Sequence, residues 1–412
     1  MRIAYVVSDR GITLEQNGGA GRHIRGTIAG FRAHGHEVLP VIAGDYFKSP
    51  ANDTTNKNNG RISTIKNFLP KKVHFLLKDV QRIYQDYQFE KLCRKDIKYF
   101  KPDVIYERSC YLSSLGSRLS RKFKIPHFLE TSGCLVEIYS SMYGMFSQEL
   151  SNYIEKQKLR RAGSVVVEAD SAVHYVSEKF SIPEEKIVAK PIGIDTESAT
   201  AVISKQQEIR YRLNLHNKFI VGFVGTFAAY QGVQILLEAA KMLDKENKDI
   251  VFLLVGWGKN GEKYKQYVRE NRLQNVRFTG LVNAHEVPGY VNLFHIGVIP
   301  DCERHMYPIK LLEYGLQSVC PLVPAYDAFR GIIKERENGS IFEPKNPCSI
   351  AKTIQSLFID KAEVKRLGVN WQKSVMSSFR WDHTVAGVLS AMEQTVNNNR
   401  AVQKIPAHKK KL

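Results

Sequence analysis

Short apolar runs rich in β-branched residues alternate with longer segments of helical period along the chain, which is the pattern of parallel sheets built from strand–helix–strand units. The series opens with Ile3 to Val7 as a strand, then a loop, then a helix over about Gly21 to His34 in which Ile24, Ile28 and Phe31 recur at i, i+4 and i+7. Glu37 to Ala43 reads as the next strand. The alternation continues through Val104-Ile105-Tyr106, a helical segment from about Leu112, His127-Phe128-Leu129, Ser164 to Val167 and Ala172 to Val176. After a polar stretch from Glu197 to Gln207 a second series begins with Phe219 to Val224, followed by helical Ile235, Leu236, Ala239, Ala240 and Leu243. Val251 to Val255, Val276 to Thr279, Ile296 to Ile299 and Pro321 to Val323 complete it. The expected architecture is α/β: two doubly wound parallel-sheet domains over residues 1–196 and 216–378, joined by a linker over 197–215.

A length of 412 residues suits two such domains better than one core. Doubly wound sheets carry ligand loops at the carboxyl ends of their strands, so a cleft between two facing domains is the expected site. Gly18-Gly19-Ala20-Gly21 falls in the first strand-to-helix loop, where bare amides can approach a phosphate, although it lacks the third glycine of a dinucleotide fingerprint. A structural turn is the alternative for this loop.

Composition narrows the partners. With 43% hydrophobic and 25% charged residues the chain is globular, and no apolar run reaches the roughly 18 residues of a membrane span. Six cysteines (Cys93, Cys110, Cys134, Cys302, Cys320, Cys348) have neither metal nor disulfide spacing and read as reduced packing residues. With no signal-peptide pattern after Met1, a cytoplasmic location is expected. The formal net charge of +19 points to an anionic partner, and Lys57 to Lys101 concentrates it, with 12 basic and 4 acidic residues. No recognisable nucleic-acid-binding motif accompanies the charge, so nucleic acid is not an expected partner.

Eight segments, in order, resemble the family 4 glycosyltransferases (glycosyltransferase group 1): GGAGRHIRGTIAGFRAHGHEV, KPDVIYERS, YVSEKFSIPEEKIVAKPIGID, VGTFAAYQGVQILLEAA, FLLVGWGKNG, NVRFTGLV, PIKLLEYG and ENGSIFEP. The resemblance implies a GT-B fold of two Rossmann-like domains and retaining transfer of a hexose-type sugar from a nucleotide-diphosphate sugar, UDP- or GDP-linked. It implies a glycan or lipid-linked acceptor, in cell-surface polysaccharide or glycoconjugate synthesis, with the donor on the second domain and the acceptor on the first. Neither metal nor other cofactor is implied. Glu313 matches the acidic residue that accepts from the ribose hydroxyls, a role suited to the several acceptor sites of a carboxylate; a helix-terminal structural carboxylate is the alternative. Ile309, Lys310 and Leu312 match the turn facing the diphosphate. Gly256 and Trp257, with Gly280 and Val282, match the wall around the base. A last helix over 379–398 is implied to cross back to the first domain, ahead of a basic tail over 399–412.

The departures concern catalysis. Where many members carry an arginine and a lysine between two glycines, Gly225 to Gly232 holds Thr226 and Gln231. The first glutamate of the family's pair falls on His305, with Glu303 close by. A departing nucleoside diphosphate needs preorganised donors, so Lys310, Arg304 and His305, with Arg22 from the glycine loop beside Gly18 and Gly19, are candidate substitutes, and Gln231 retains an amide donor. On the acceptor side, Glu107, Arg108, Glu130 and Ser132 stand at strand ends, where ligand contacts and structural carboxylates both occur. A sugar-nucleotide epimerase or a catalytically silent relative is the alternative to a transferase. Lys57 to Lys101 also includes Phe68, Val73, Phe75, Leu76, Leu77, Val80 and Ile83, and its helical part from about Pro70 predicts attachment to an anionic membrane surface, at the inner face of the membrane. A solvated cationic face over an ordinary core is the competing reading.

Overall fold

The computed structural model describes residues 1–16, 18–47, 70–196 and 206–404, and it divides into two compact units. Met1–Pro191 with Val385–Leu412 forms the first, and Ile192–Thr384 the second. The boundary thus falls at Pro191 rather than at residue 196. Part of the stretch read as linker is a helix, Gln206–Arg212, held in the second unit by its buried Ile209 and by Arg212 donating to the Tyr290 hydroxyl (2.5 Å). Residues 197–205, the Ala51 to Gly60 loop, Phe68 and the tail beyond Lys404 lie outside the described residues.

The first unit is a six-stranded parallel sheet in the order β2-β1-β3-β4-β5-β6. Its strands are β1 (Arg2–Val7), β2 (Glu37–Ile42), β3 (Val104–Arg108), β4 (His127–Thr131), β5 (Ser164–Val167) and β6 (Ile187–Ala189). Ile3 pairs in register with Val38 on one side and Val104 on the other, and Ile3 through Val7 are fully buried because helices cover both faces. Helix Gly19–Ala33 presents Ile24, Ile28 and Phe31 to one face, at the spacing seen in the sequence. Helix Ala386–Lys404 joins the same core through Val388, Leu389, Met392 and Val396, and Arg400 ties its far end to Asp103 (2.7 Å). The crossing thus begins after residue 384, since Trp381–Thr384 packs in the second unit, with Trp381 lying against Gly193.

One element differs from the sequence reading, and the helix expected from about Pro70 is found. Ala172 to Val176 is the middle of helix Ser171–Phe180, and the strand that closes this edge is the three-residue β6. Lys71–Phe100 is a single 30-residue helix. It has no internal glycine or proline, starts after Pro70, and stops at Lys101, which turns to φ +48° ahead of Pro102.

The second unit repeats the plan in the order β12-β11-β10-β7-β8-β9. Its strands are β7 (Phe219–Val224), β8 (Ile250–Val255), β9 (Val276–Phe278), β10 (Ile296–Val298), β11 (Cys320–Pro324) and β12 (Ser340–Phe342). Its core runs from Phe219, Val221 and Phe223 to Leu236, Leu237 and Ala240 of helix Val233–Asp244, and on to Ile350 and Leu367. In each unit the strand order reverses once, between β1 and β3 and between β7 and β10. Loops part at those points, which favours ligand sites at the adjoining strand ends.

Candidate functional site

In the second unit the reversal is built from glycines. Gly225 ends β7, and a Cβ on it would lie 2.6 Å from Gln231 Oε1, 2.8 Å from the Phe223 ring and 2.9 Å from Lys310 Nζ. Gly232, at φ +67°, closes this loop against the loop after β10, where a Cβ would lie 2.5 Å from Asp301. At the ends of β8 and β9 the backbones are just as close. Gly256 (φ +112°) and Gly280 form a bridge, Gly256 leaves no room for a Cβ beside the Gly225 carbonyl (2.2 Å), and the same holds for Gly258 beside Thr226 (1.7 Å). Only glycine fits where backbone meets backbone at these distances.

The loop is anchored by Phe227, which at φ +55° is fully buried in the core against Trp257, Tyr264 and Phe278. Its carbonyl accepts from Asn260 (2.9 Å). Thr226 stands beside it, and Gln231 is buried, its side-chain oxygen without a hydrogen-bond partner among the described residues.

Lys310 is the first residue of helix Lys310–Leu316, and its ammonium lies over the Phe223 ring, 4.2 Å from the centroid. Burial lowers its pKa, Glu313 and then Cys302 pull it partly back, and it comes to about 8. The turn bonds the amides of Leu311, Leu312 and Glu313 to the carbonyls of Pro308 and Ile309, so the amides of Ile309 and Lys310 stand ahead of the first helical hydrogen bond. Cys302 is pushed up by burial and by Asp301, and remains a thiol. Asp301 is held by the Tyr326 hydroxyl (2.7 Å) and the Cys302 amide (2.9 Å). Glu303, His305 and Glu313 are half-buried, whereas Arg304 is exposed, its guanidinium 5.9 Å from the Tyr326 ring. Trp257 is engaged by Lys265, 4.3 Å above its ring, and Val282 is half-buried. If Glu313 holds a ribose diol, Glu313→Gln weakens nucleotide-sugar binding by roughly 1.5 to 3 kcal/mol with the fold intact; calorimetry showing unchanged affinity removes that role.

In the first unit Gly18 and Gly19 open helix Gly19–Ala33, with nothing within 4 Å of a Cβ at either position, and Arg22 is exposed in its first turn. Two acceptor-side expectations are corrected here. Glu107 is 1% exposed: its carboxylate accepts from His127 Nε2 (2.9 Å) and the Gly116 amide (3.1 Å). Burial raises its pKa, but His127, Lys158 and that amide outweigh burial and hold it below its ordinary value, so it is an internal ion. Glu130, also 1% exposed, accepts from His23 Nε2 (2.9 Å) and pairs with Lys190 Nζ (2.9 Å). Arg108 lies 4.0 Å from Glu130 and 3.6 Å from Glu168. His23, Glu130 and Glu168 come close enough to share a metal ion, but Lys190 and Arg108 already match the two carboxylates in charge. Neither glutamate reaches an acceptor in this arrangement; Ser132 is half-buried. His23, Lys190 and Glu168 were missed as partners because they sit on separate elements, with no common spacing.

Two six-stranded parallel sheets, the second with a glycine-built reversal point, have the architecture of the GT-B class of α/β glycosyltransferases. Residues 17–198 match Glycosyltransferase Family 4, and residues 205–374 match Glycosyl transferases group 1. The chain belongs to this glycosyltransferase family. It is 23% identical over 258 residues to an alpha-D-kanosaminyltransferase of Streptomyces kanamyceticus, covering 61% of this chain and 66% of that one. An uncharacterized glycosyltransferase of Methanocaldococcus jannaschii, MJ1607, is 22% identical over 89% of this chain and 92% of its own. Among solved structures, Anabaena HepE in complex with UDP-glucose superposes with a TM-score of 0.67 at 14% identity, over 98% of this chain and 100% of that one.

Proposed function

We propose that the chain transfers a hexose-type sugar from a UDP- or GDP-linked donor to a glycan or lipid-linked acceptor, with retention and without a metal ion. The observation that carries this is the Lys310 ammonium beside Gly225 at the second unit's reversal point, where a diphosphate can approach bare backbone and meet a cation. The UDP-glucose complex of the structurally similar HepE supports a nucleotide-sugar donor. Incubation with UDP-, GDP- and ADP-sugars tests it: the reading expects tight binding of one donor, slow nucleotide release to water, faster release with acceptor, and no loss on adding EDTA. Binding with no release under any condition identifies a silent relative, and an altered free nucleotide-sugar identifies an epimerase.

A second element of the proposal is reversible attachment to an anionic membrane, at the inner face. Leu77 (55%), Val80 (55%), Tyr84 (62%) and Tyr87 (51%) are exposed at helical spacing on Lys71–Phe100, and Lys91, Lys95 and Lys98 continue the same face. The residues this helix gives to the core are others, Phe89, Cys93 and Ile97. No helix among the described residues is long and apolar enough to cross a membrane. Each lysine near the lipid adds about 1 kcal/mol. Flotation should recover the protein with anionic vesicles at low salt and release it at high salt; equal recovery on neutral vesicles, or indifference to salt, removes the membrane from this account.

A further inference from the structure

The first unit contains a cavity of ≈ 360 Å³ at its own strand reversal, between the loops that follow β1 and β3 and under helix Lys71–Phe100. Its walls combine two features that seldom occur together by accident, an aromatic stack and an excess of cations. Tyr111 and Tyr139 lie parallel, 3.9 Å apart at 10°, and Tyr143 follows at 5.0 Å. The stack is pinned from behind: the Tyr111 hydroxyl is 2.9 Å from Ser151 Oγ and donates to Asp79 (3.3 Å). Arg82 lies over it, 4.7 Å from the Tyr139 centroid and 5.9 Å from that of Tyr111.

The charges are unevenly answered. Arg10, Lys78 and Arg82 line the cavity against Asp9 and Asp86. Asp86 is buried and already taken, by Arg118 (2.9 Å), the Ser113 hydroxyl (2.7 Å) and the Ser114 amide (3.1 Å). That leaves Asp9, 3.9 Å from Arg82 and also accepting from the Gly11 amide (2.8 Å), to face three cations. That is an excess of two positive charges at the walls, which Asp79 behind the tyrosines, 3.3 Å from the Tyr111 hydroxyl, reduces to one, so a ligand bringing one negative charge completes the balance.

We infer that this cavity is an acceptor subsite for an acidic sugar, a pyranose carrying a carboxylate or a phosphate. The C–H face of the ring lies on the tyrosine surface, where hydrophobic contact is strong, and the anionic group meets Arg82 and Lys78, the guanidinium offering two parallel donors to two oxygens. The volume stands at the small end of ligand cavities and suits one sugar residue rather than a longer chain. Tyr111 and Tyr139 cover one face of each other, so the sugar meets the outer end of the stack, where Tyr143 is exposed. This inference rests on the transferase reading for the word acceptor, but its recognition chemistry stands on the first unit alone.

The test is direct binding to the full chain, without donor, by saturation-transfer NMR and calorimetry with methyl glucuronide, glucose 6-phosphate and methyl glucoside. The acidic ligands should bind about tenfold or more tighter than the neutral one, the better of the two naming the source of the charge. Arg82→Gln and, separately, Lys78→Gln, an exposed position that folding does not depend on, should each reduce that preference severalfold. Tyr139→Ala should weaken all three ligands alike. Equal binding of acidic and neutral sugars, a preference untouched by both charge variants, or displacement of glucuronide by UDP overturns the inference. Donor binding and nucleotide release with no acidic preference would sink this subsite and leave the transferase standing; acidic-sugar binding with no donor binding would do the reverse.

Discussion

Lys310→Ala should lower turnover by roughly 100- to 1,000-fold, the cost of removing one preorganised donor from a developing oxyanion, while donor affinity changes far less. The asymmetry follows from when the charge appears. On the proposed reading the diphosphate is already anionic in the bound donor, but the bond to the sugar releases a further negative charge only as it breaks, and an ammonium at the Gly225 end of β7 would stabilise that change more than the ground state. Thr226 and Gln231 in the same loop are neutral and bring no charge to compensate. The pH profile carries a second signature. Burial leaves Lys310 with a pKa of about 8, so in the free enzyme its cation is complete well below that pH and is lost as pH rises through it. The alkaline limb of kcat/KM should therefore fall near pH 8, and that of kcat should lie higher, since the bound diphosphate favours the cation. Lys310→Arg should remove the limb while keeping part of the rate. If Lys310→Ala raises only KM, the side chain binds donor and does nothing more.

The legible parts of this protein are those whose information is local. Ile3 to Val7 and Phe219 to Val224 declare themselves as strands because both faces are covered, which turns alternation into an unbroken apolar run. Lys310 and Glu313 are singled out by the resemblance of PIKLLEYG, a short segment that carries both, to the family's motif. β6 was hidden by its length, three residues, of which only Ile187 is buried. Helix Lys71–Phe100 was blurred because it is apolar on two sides, Phe89, Cys93 and Ile97 inward and Leu77, Val80 and Tyr84 outward, so no single face stands out from the sequence. Position at a strand end made Glu107 and Glu130 look like ligand contacts. Their true partners come from elsewhere in the chain: His127 starts the strand beside Glu107, while His23 and Lys190 stand 107 and 60 positions from Glu130. Charges that meet only in the folded state leave no spacing to read.

Glu130→Ala should destabilise the first unit by about 3 to 5 kcal/mol, the usual cost of breaking a buried ion pair from one side. Lys190 is fully buried and 2.9 Å from Glu130, so removing the carboxylate takes its counter-charge from an ammonium that water cannot reach. His23 loses its acceptor as well, and with it the link between the first turn of helix Gly19–Ala33 and β4. Burial raises the carboxyl's pKa, but Lys190 first and then His23 and Arg108 reverse this and hold it well below its ordinary 4.5. A depressed folded value means that the contribution is fully present above the ordinary carboxylate range and is lost as pH falls through the folded value, so wild type should stay folded in mild acid. The variant lacks this acid-side dependence. Hydrogen exchange at the amides of β4 and β6 is the measurement, because it reads the first unit without the second. A Lys190→Met partner separates the causes: if the unbalanced charge dominates, the double variant recovers much of the loss, and the cycle returns a coupling of about 1 to 3 kcal/mol. Additive losses would mean that Glu130 acts through His23 and the glycine-loop helix instead. Exchange unchanged in Glu130→Ala would show that the ammonium finds another partner and that this network does not hold the unit together.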